Sequence, residues 1–267
     1  MSLSGDPVLA VAVRAARRAA SVIIDASRDL RRLPTFSREH AEIVASASTD
    51  ARSAIRASLC AAYPDHVIVG DEAAGEEKRD SPFRWMVDAI DGSANFVHGF
   101  PYYAVSVALA NDRDLTHAVV LDPVRDELFT AVHGKGAQLN GAPLRVSACT
   151  RLEDALVGTV FPSRKSPKLA GYVPVLNALM ARCGGIRRAG SCALDLAHLA
   201  AGRLDGFFVL SQQARDLAAG GLVVKEAGGR VGDLAGGDDF LRSNEVIAAA
   251  PGVFSLLREA ILAARSS

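Results

Sequence analysis

The stretch with most capacity for chemistry reads Trp85-Met86-Val87-Asp88-Ala89-Ile90-Asp91-Gly92-Ser93-Ala94-Asn95-Phe96, an apolar run delivering D-x-x-D-G-S. Two carboxylates at separation three across a turn can aim at one point, while Gly92 permits a close backbone approach. Amides from Ser93 onward can open a short helix, which places backbone donors beside hard oxygen ligands. That combination suits a divalent cation holding a phosphate. The plain alternative is a solvated turn in which Asp88 caps the next element. Three further segments bear on the choice. Gly70-Asp71-Glu72 ends a short apolar run. Arg187-Arg188-Ala189-Gly190-Ser191-Cys192-Ala193 is a strand end entering a helix. Arg215-Asp216-Leu217-Ala218-Ala219-Gly220 opens a helix that ends in Glu226-Ala227-Gly228-Gly229. Taken singly, Asp216 reads as a helix N-cap and Gly190-Ser191 as a capping turn. Asp71 and Glu72 could equally begin the solvated charge run that continues to Arg79. His98 and His133 are lone histidines, and Cys192, with no His partner nearby in sequence, reads as a small packing residue.

The elements that must position these groups follow from periodicity. Apolar residues from Asp6 to about Arg28 fall at helical spacing, and a second helical pattern runs from about Ser48 to Ala62, with Leu30 to Glu42 irregular around Pro34. Both helices should pack on one face of a sheet. From Val67 the texture changes to short apolar runs at Val67–Val69, Arg84–Val87, Tyr103–Ala110, Thr116–Leu121 and Glu127–Val132, which predicts a largely antiparallel sheet. Beyond Leu152 strands and helices alternate. Strands are expected at Ala155–Thr159, Gly206–Leu210 and Val246–Ala249, and helices at Leu169–Arg182, Ala193–Ala201, Asp216–Ala227 and Val253–Ala264. The expectation is an N-terminal α+β subdomain over residues 1–150 and a C-terminal α/β subdomain over 151–267, in one continuous body with a cleft between them.

Composition narrows the function classes. With 267 residues, 49% hydrophobic and 22% charged, the chain can build a substantial core. Thirty basic residues cancel thirty acidic ones, so no global field gathers nucleic acid or an anionic membrane. Neither direct nucleic-acid binding nor a membrane partner is expected. Four scattered cysteines, Cys60, Cys149, Cys183 and Cys192, offer no zinc spacing and fit a reduced, cytoplasmic protein.

Together the motifs resemble the signatures of the inositol monophosphatase family, most closely its bacterial extragenic-suppressor members. The family's W-x-x-D-P-[IL]-D-G-T-x-N-F-x-x-x-x-P matches Trp85 to Pro101, and its W-D-x-A-A-G … E-A-G-G matches Arg215 to Gly229. Similarity also covers Leu121 to Val146 and extends over nearly the whole chain after Ala10. Chance must supply both ordered motifs, which makes the match specific. The resemblance implies a layered α/β/α/β/α sandwich and Mg²⁺-dependent hydrolysis of small phosphate monoesters. By the same resemblance Asp71, Asp88 and the carbonyl of Ile90 hold one metal, and Asp88, Asp91 and Asp216 hold a second. Ser93, with the Asp71 carboxylate, would help deprotonate a water. Amides of Gly92 and Ser93 would cradle the phosphate, Gly190, Ser191 and Cys192 would face the alcohol portion together with Asp216, and Arg187 would anchor substrate or dimer. A homodimer is implied by resemblance alone.

Departures from the family concentrate around these groups. Asp71 is one methylene shorter than the family's Glu. Ser93 replaces Thr and loses the methyl that restricts its rotamers. Ala89 replaces the proline that stiffens the turn, and Ala94 removes a second hydroxyl. Val209 stands where many members carry a Glu that hydrogen-bonds an inositol hydroxyl, and Arg215 replaces the Trp before the last Asp. The segment His40 to Asp50 retains only Asp50 of K-G-x-x-D-x-V-T-x-x-D, which leaves a third metal open beside the expected two. Two readings follow: a phosphatase with an altered pocket, or a non-catalytic scaffold, since some bacterial relatives act with the transcription machinery.

Overall fold

The computed structural model describes residues 5–69, 81–163 and 165–265. The chain opens with α1 (Pro7–Leu30), started by Asp6, whose carboxylate accepts from the amides of Val8 and Leu9. Helix α2 (Arg38–Ala62) follows and begins ten residues before the helical pattern expected from Ser48. Ser37 caps it after the break at Pro34, accepting from the His40 amide. The reason lies in the side chains: Ile43, Val44 and Ala47 extend the inward stripe of Ala51, Ile55 and Leu59 by two turns, too sparsely to stand out among polar neighbours.

A seven-stranded sheet comes next, with strands ordered along the chain: β1 (Val67–Val69), β2 (Phe83–Asp91), β3 (Ala104–Asn111), β4 (Asp114–Asp122), β5 (Glu127–Val132), β6 (Gly136–Leu139) and β7 (Ala142–Pro143). Only β1–β2 is parallel; all other pairings are antiparallel. The short helix α3 (Ser93–Val97) interrupts it after β2. Strands β6 and β7 were absent from the sequence reading because their runs are too short to show a period-two pattern.

The second half alternates β8 (Leu156–Thr159), α4 (Leu169–Met180), β9 (Gly185–Arg187), α5 (Cys192–Ala200), β10 (Gly206–Val209), α6 (Ala214–Glu226), β11 (Arg230–Gly232), α7 (Phe240–Ser243), β12 (Val246–Ala249) and α8 (Pro251–Arg265). Its five strands lie in the order β11-β12-β10-β8-β9, with β10–β8 and β8–β9 parallel. Three apolar seams hold the stack. One joins α1 and α2 to the outer face of the first sheet through Ile23, Ile55, Trp85 and Val107. The central one packs α5 and α6 between both sheets, and the third packs α4 and α8 on the far side of the second sheet. The layers therefore run α/β/α/β/α, as the motifs implied. Burying a large apolar side chain in such a seam contributes about 1.5–3 kcal/mol. Among the described residues, the chemistry-bearing segments end on the central helical layer.

Candidate functional site

In a regular strand, residues three apart face opposite sides. Asp88 sits opposite Ser106 on β3 and Asp91 opposite Ala104, so three steps on β2 match two on β3. This bulge turns both carboxylates toward the same face, the one covered by α5 and α6. Ile90, inside the bulge, packs the other way into the α1–α2 seam. The expected turn between the two aspartates is thus a bulged strand. Asp88 caps no helix; its Oδ1 accepts from the Ile90 amide at 3.0 Å.

Asp91 meets the start of α5. Its Oδ2 accepts from Ser191 Oγ at 2.5 Å and from the Ala193 amide at 2.7 Å. Ser191 is the N-cap of α5 and accepts in turn from the Leu194 amide. A buried carboxylate is therefore held by a helix N-terminus, where the macrodipole favours negative charge. Burial and the neighbouring Asp88 nevertheless push its pKa well above the ordinary range, against the pull of Ser191 and Ala193.

Asp216 comes from the first turn of α6, whose N-cap is Gln213, so the N-cap reading of Asp216 is corrected. Helix α6 approaches α5 closely at Gly220, where a Cβ would lie 2.5 Å from Leu196 Cβ. Asp216, one turn earlier on the same side, is thereby carried toward the other carboxylates. Its carboxyl is pushed up to about 6, by burial first and Asp88 second, while Arg215 pulls it down. Burial also raises Asp88, opposed by the Ile90 amide, Arg215 and Arg52.

The remaining expected site residues separate into two groups. Gly92 adopts φ 91°, and a Cβ there would meet the Tyr102 carbonyl at 2.9 Å, so glycine is required by both conformation and space. Ser93 is exposed at the first position of α3, and Gly190 lies against Gly92. The side chains of Ser191 and Cys192 are buried; Ser191 caps α5, and burial pushes the Cys192 thiol well up. Arg187 is exposed and donates to its own neighbour's carbonyl at Ile186. Val209 is 1% exposed within the central seam and presents no polar group. Asp71 and Glu72 lie outside the described residues.

Two positioning residues went unassigned in the sequence reading. Asn95 donates to the Tyr102 carbonyl at 2.7 Å and to the Ala189 carbonyl at 2.8 Å, tying the loop after α3 to the approach of α5. Its place inside the D-G-S-x-N-F run was the available signal. Glu226 accepts from the amides of Gly134 and Gly136, so the acid of E-A-G-G holds the β5–β6 turn. Nothing in its type or spacing distinguishes that role from a ligand's.

The donor set is oxygen throughout, and the three aspartates are held near one another with mutually unfavourable charge. Among the described residues, no three His, Cys, Asp or Glu side chains converge tightly enough to hold a metal by themselves. Mg²⁺ fits such a site, because it characteristically takes one or two carboxylates and completes its shell with water and phosphate oxygens.

The model of the family described as the inositol monophosphatase family matches residues 4–267. The chain is 42% identical over 259 residues to the Nus factor SuhB of Pseudomonas aeruginosa, covering 94% of each chain. It is 38% identical over 253 residues to the Nus factor SuhB of Vibrio cholerae, covering 94% of this chain and 95% of that one. Among solved structures it is similar to the extragenic suppressor protein suhB from Bartonella henselae, at 37% identity and TM-score 0.84 over 95% of this chain and 98% of that one. It is also similar to the inositol monophosphatase from Anabaena, at 28% identity and TM-score 0.86 over 96% and 95%.

Proposed function

The chain belongs to the inositol monophosphatase family, and from that premise we propose that it is a Mg²⁺-dependent phosphomonoesterase. Its substrate is a small phosphate monoester, inositol-1-phosphate or a related sugar, nucleotide or amino-alcohol phosphate. The observation carrying this reading is the proximity of Asp88, Asp91 and Asp216, brought by a bulged strand and a helix first turn near enough for their charges to act on one another. These three, with the Ile90 carbonyl and Asp71, would hold two Mg²⁺ ions. Bound metal supplies an acidified water and charge compensation on the phosphate.

The chain's own residues would do the rest. Gly92 lets the backbone approach the phosphate without a side chain in the way, and the first amides of α3 have no partner within the helix and no side-chain cap. Ser93, exposed at that helix start, would accept a proton from water and pass it to Asp71. Gly190, held against Gly92 by the Asn95 clamp, bounds the side toward the alcohol. With Val209 apolar and Arg215 beside Asp216, the pocket offers an inositol ring fewer acceptors and one more cation. A cytoplasmic homodimer completes this reading.

The test is phosphate release over a panel of monoesters, with and without Mg²⁺, comparing wild type with Asp91→Asn. Turnover requiring both Mg²⁺ and Asp91 is expected, with a loss of at least about a hundredfold in the variant. Equal turnover in the two proteins would sink the reading. The second reading, a transcription-associated scaffold, draws on the name Nus factor borne by the relatives and on the substitutions at Ser93, Val209 and Arg215. It expects retention of an RNA-polymerase or elongation-factor component that survives Asp91→Asn; a pull-down from the native host that retains none counts against it.

A further inference from the structure

Arg52 and Arg56 stand four residues apart on α2, each one position past the inward stripe of Ala51 and Ile55, and so project along the same flank of the helix. That flank borders a small cleft of about 40 Å³, whose wall includes Arg52, Arg56, Arg215 and Asp88. Arg215 reaches the cleft from α6 and lies with its Nε 3.6 Å from Asp216 Oδ1. Its side chain is 40% exposed and that of Asp216 13%, so the pair sits where water only partly screens it. Asp91 has a different entourage, being held by a hydroxyl and an amide.

We propose that Arg52 and Arg215 bracket the Asp88–Asp216 pair as built-in counter-cations, supplying charge that a divalent ion would otherwise bring and so weakening the hold of this site on Mg²⁺. This rests on the reading of those carboxylates as the metal site. A guanidinium beside a carboxylate repels an arriving cation and competes for the same oxygen lone pairs. It cannot be neutralised by losing a proton, because Arg stays charged throughout the accessible pH range. The consequence is a raised magnesium requirement, set by side chains rather than by the ligand set.

The experiment is calorimetric titration of Mg²⁺ alone into wild type, Arg215→Gln, Arg52→Gln and the double variant, with Asp88→Asn and Asp91→Asn alongside and folding checked by circular dichroism. Each arginine variant should bind Mg²⁺ about tenfold more tightly, as expected for removing one neighbouring unit charge at a half-exposed site, and the double variant more tightly still. Binding that appears only in the arginine variants supports the proposal equally. If the aspartate variants abolish binding while the arginine variants leave the dissociation constant unchanged or raise it, the bracket is wrong and the metal site stands. If the aspartate variants bind as wild type does, or no protein binds, the metal-site reading fails and the bracket with it.

Discussion

Asp88 and Asp91 leave one strand three residues apart and end in contrasting surroundings. Asp91 is enclosed. Its Oδ2 is met by Ser191 and the Ala193 amide, the cap of α5 is completed by the same hydroxyl, and Asn95 straps the adjoining loops together. Asp88 looks outward, toward a cleft shared with Arg52 and Arg215 and toward the carboxylate of Asp216. One side is organised by dipoles that the fold cannot give up; the other is balanced by long cationic side chains that can be exchanged. Two departures from the family pattern, Ala89 and Arg215, line that cleft. Chemistry can thus be retuned there without disturbing the stack of layers.

The contrast can be broken at its joint. Gly220→Val forces a Cβ to within 2.5 Å of Leu196 Cβ and pushes α6, with Asp216, away from α5. A destabilisation of about 3 kcal/mol is expected, read as a fall in the denaturant midpoint. Behind the enclosed side, Tyr102 donates to the buried Asp195 at 2.6 Å. Burial pushes the Asp195 carboxyl up to about 7, opposed by the Tyr102 hydrogen bond and by Arg188. The folded state keeps this proton between pH ~4 and ~7 while the unfolded chain, with an ordinary carboxylate, has released it. The contribution to stability is therefore present below about pH 4 and lost as pH rises toward 7. Asp195→Asn should flatten that decline by about 4 kcal/mol; parallel Tm–pH curves for the two proteins would refute it.

Smaller effects sharpen the comparison. Ser191→Ala removes the cap of α5 and one donor to Asp91, and should cost about 1–2 kcal/mol in thermal or denaturant unfolding. Arg215→Gln touches only the single ion pair with Asp216, whose arginine is 40% exposed, and should change stability by less than about 0.5 kcal/mol. If Arg215→Gln destabilised as much as Ser191→Ala, the outward side would be structural rather than exchangeable.

Much of the layering was legible because it depends on local patterns. Eight of the strands and the long helices announce themselves by period and by the breakers around them, Arg187 reads as the end of a ninth, and D-x-x-D-G-S marks the end of a core strand. What escaped detection did so for identifiable reasons. The first turns of α2 carry too few apolar residues to declare a face, and β6, β7 and β11 are too short to show a period. Asp88 and Asp91 were expected to converge across a turn; only pairing with β3 creates the bulge that brings them together.

By itself the sequence determined which groups could do chemistry and in what order the elements follow, since residue type and periodicity are properties of neighbours along the chain. Only the tertiary structure decided what each group faces. It assigned Ser191 to the Asp91 carboxylate, Glu226 to a turn, Gly220 to a helix crossing and Arg52 to the edge of the carboxylate pair. Each of those roles depends on a partner roughly ten to two hundred positions away. Burial, dielectric and charge at a site are set by such partners, and local spacing carries no record of them.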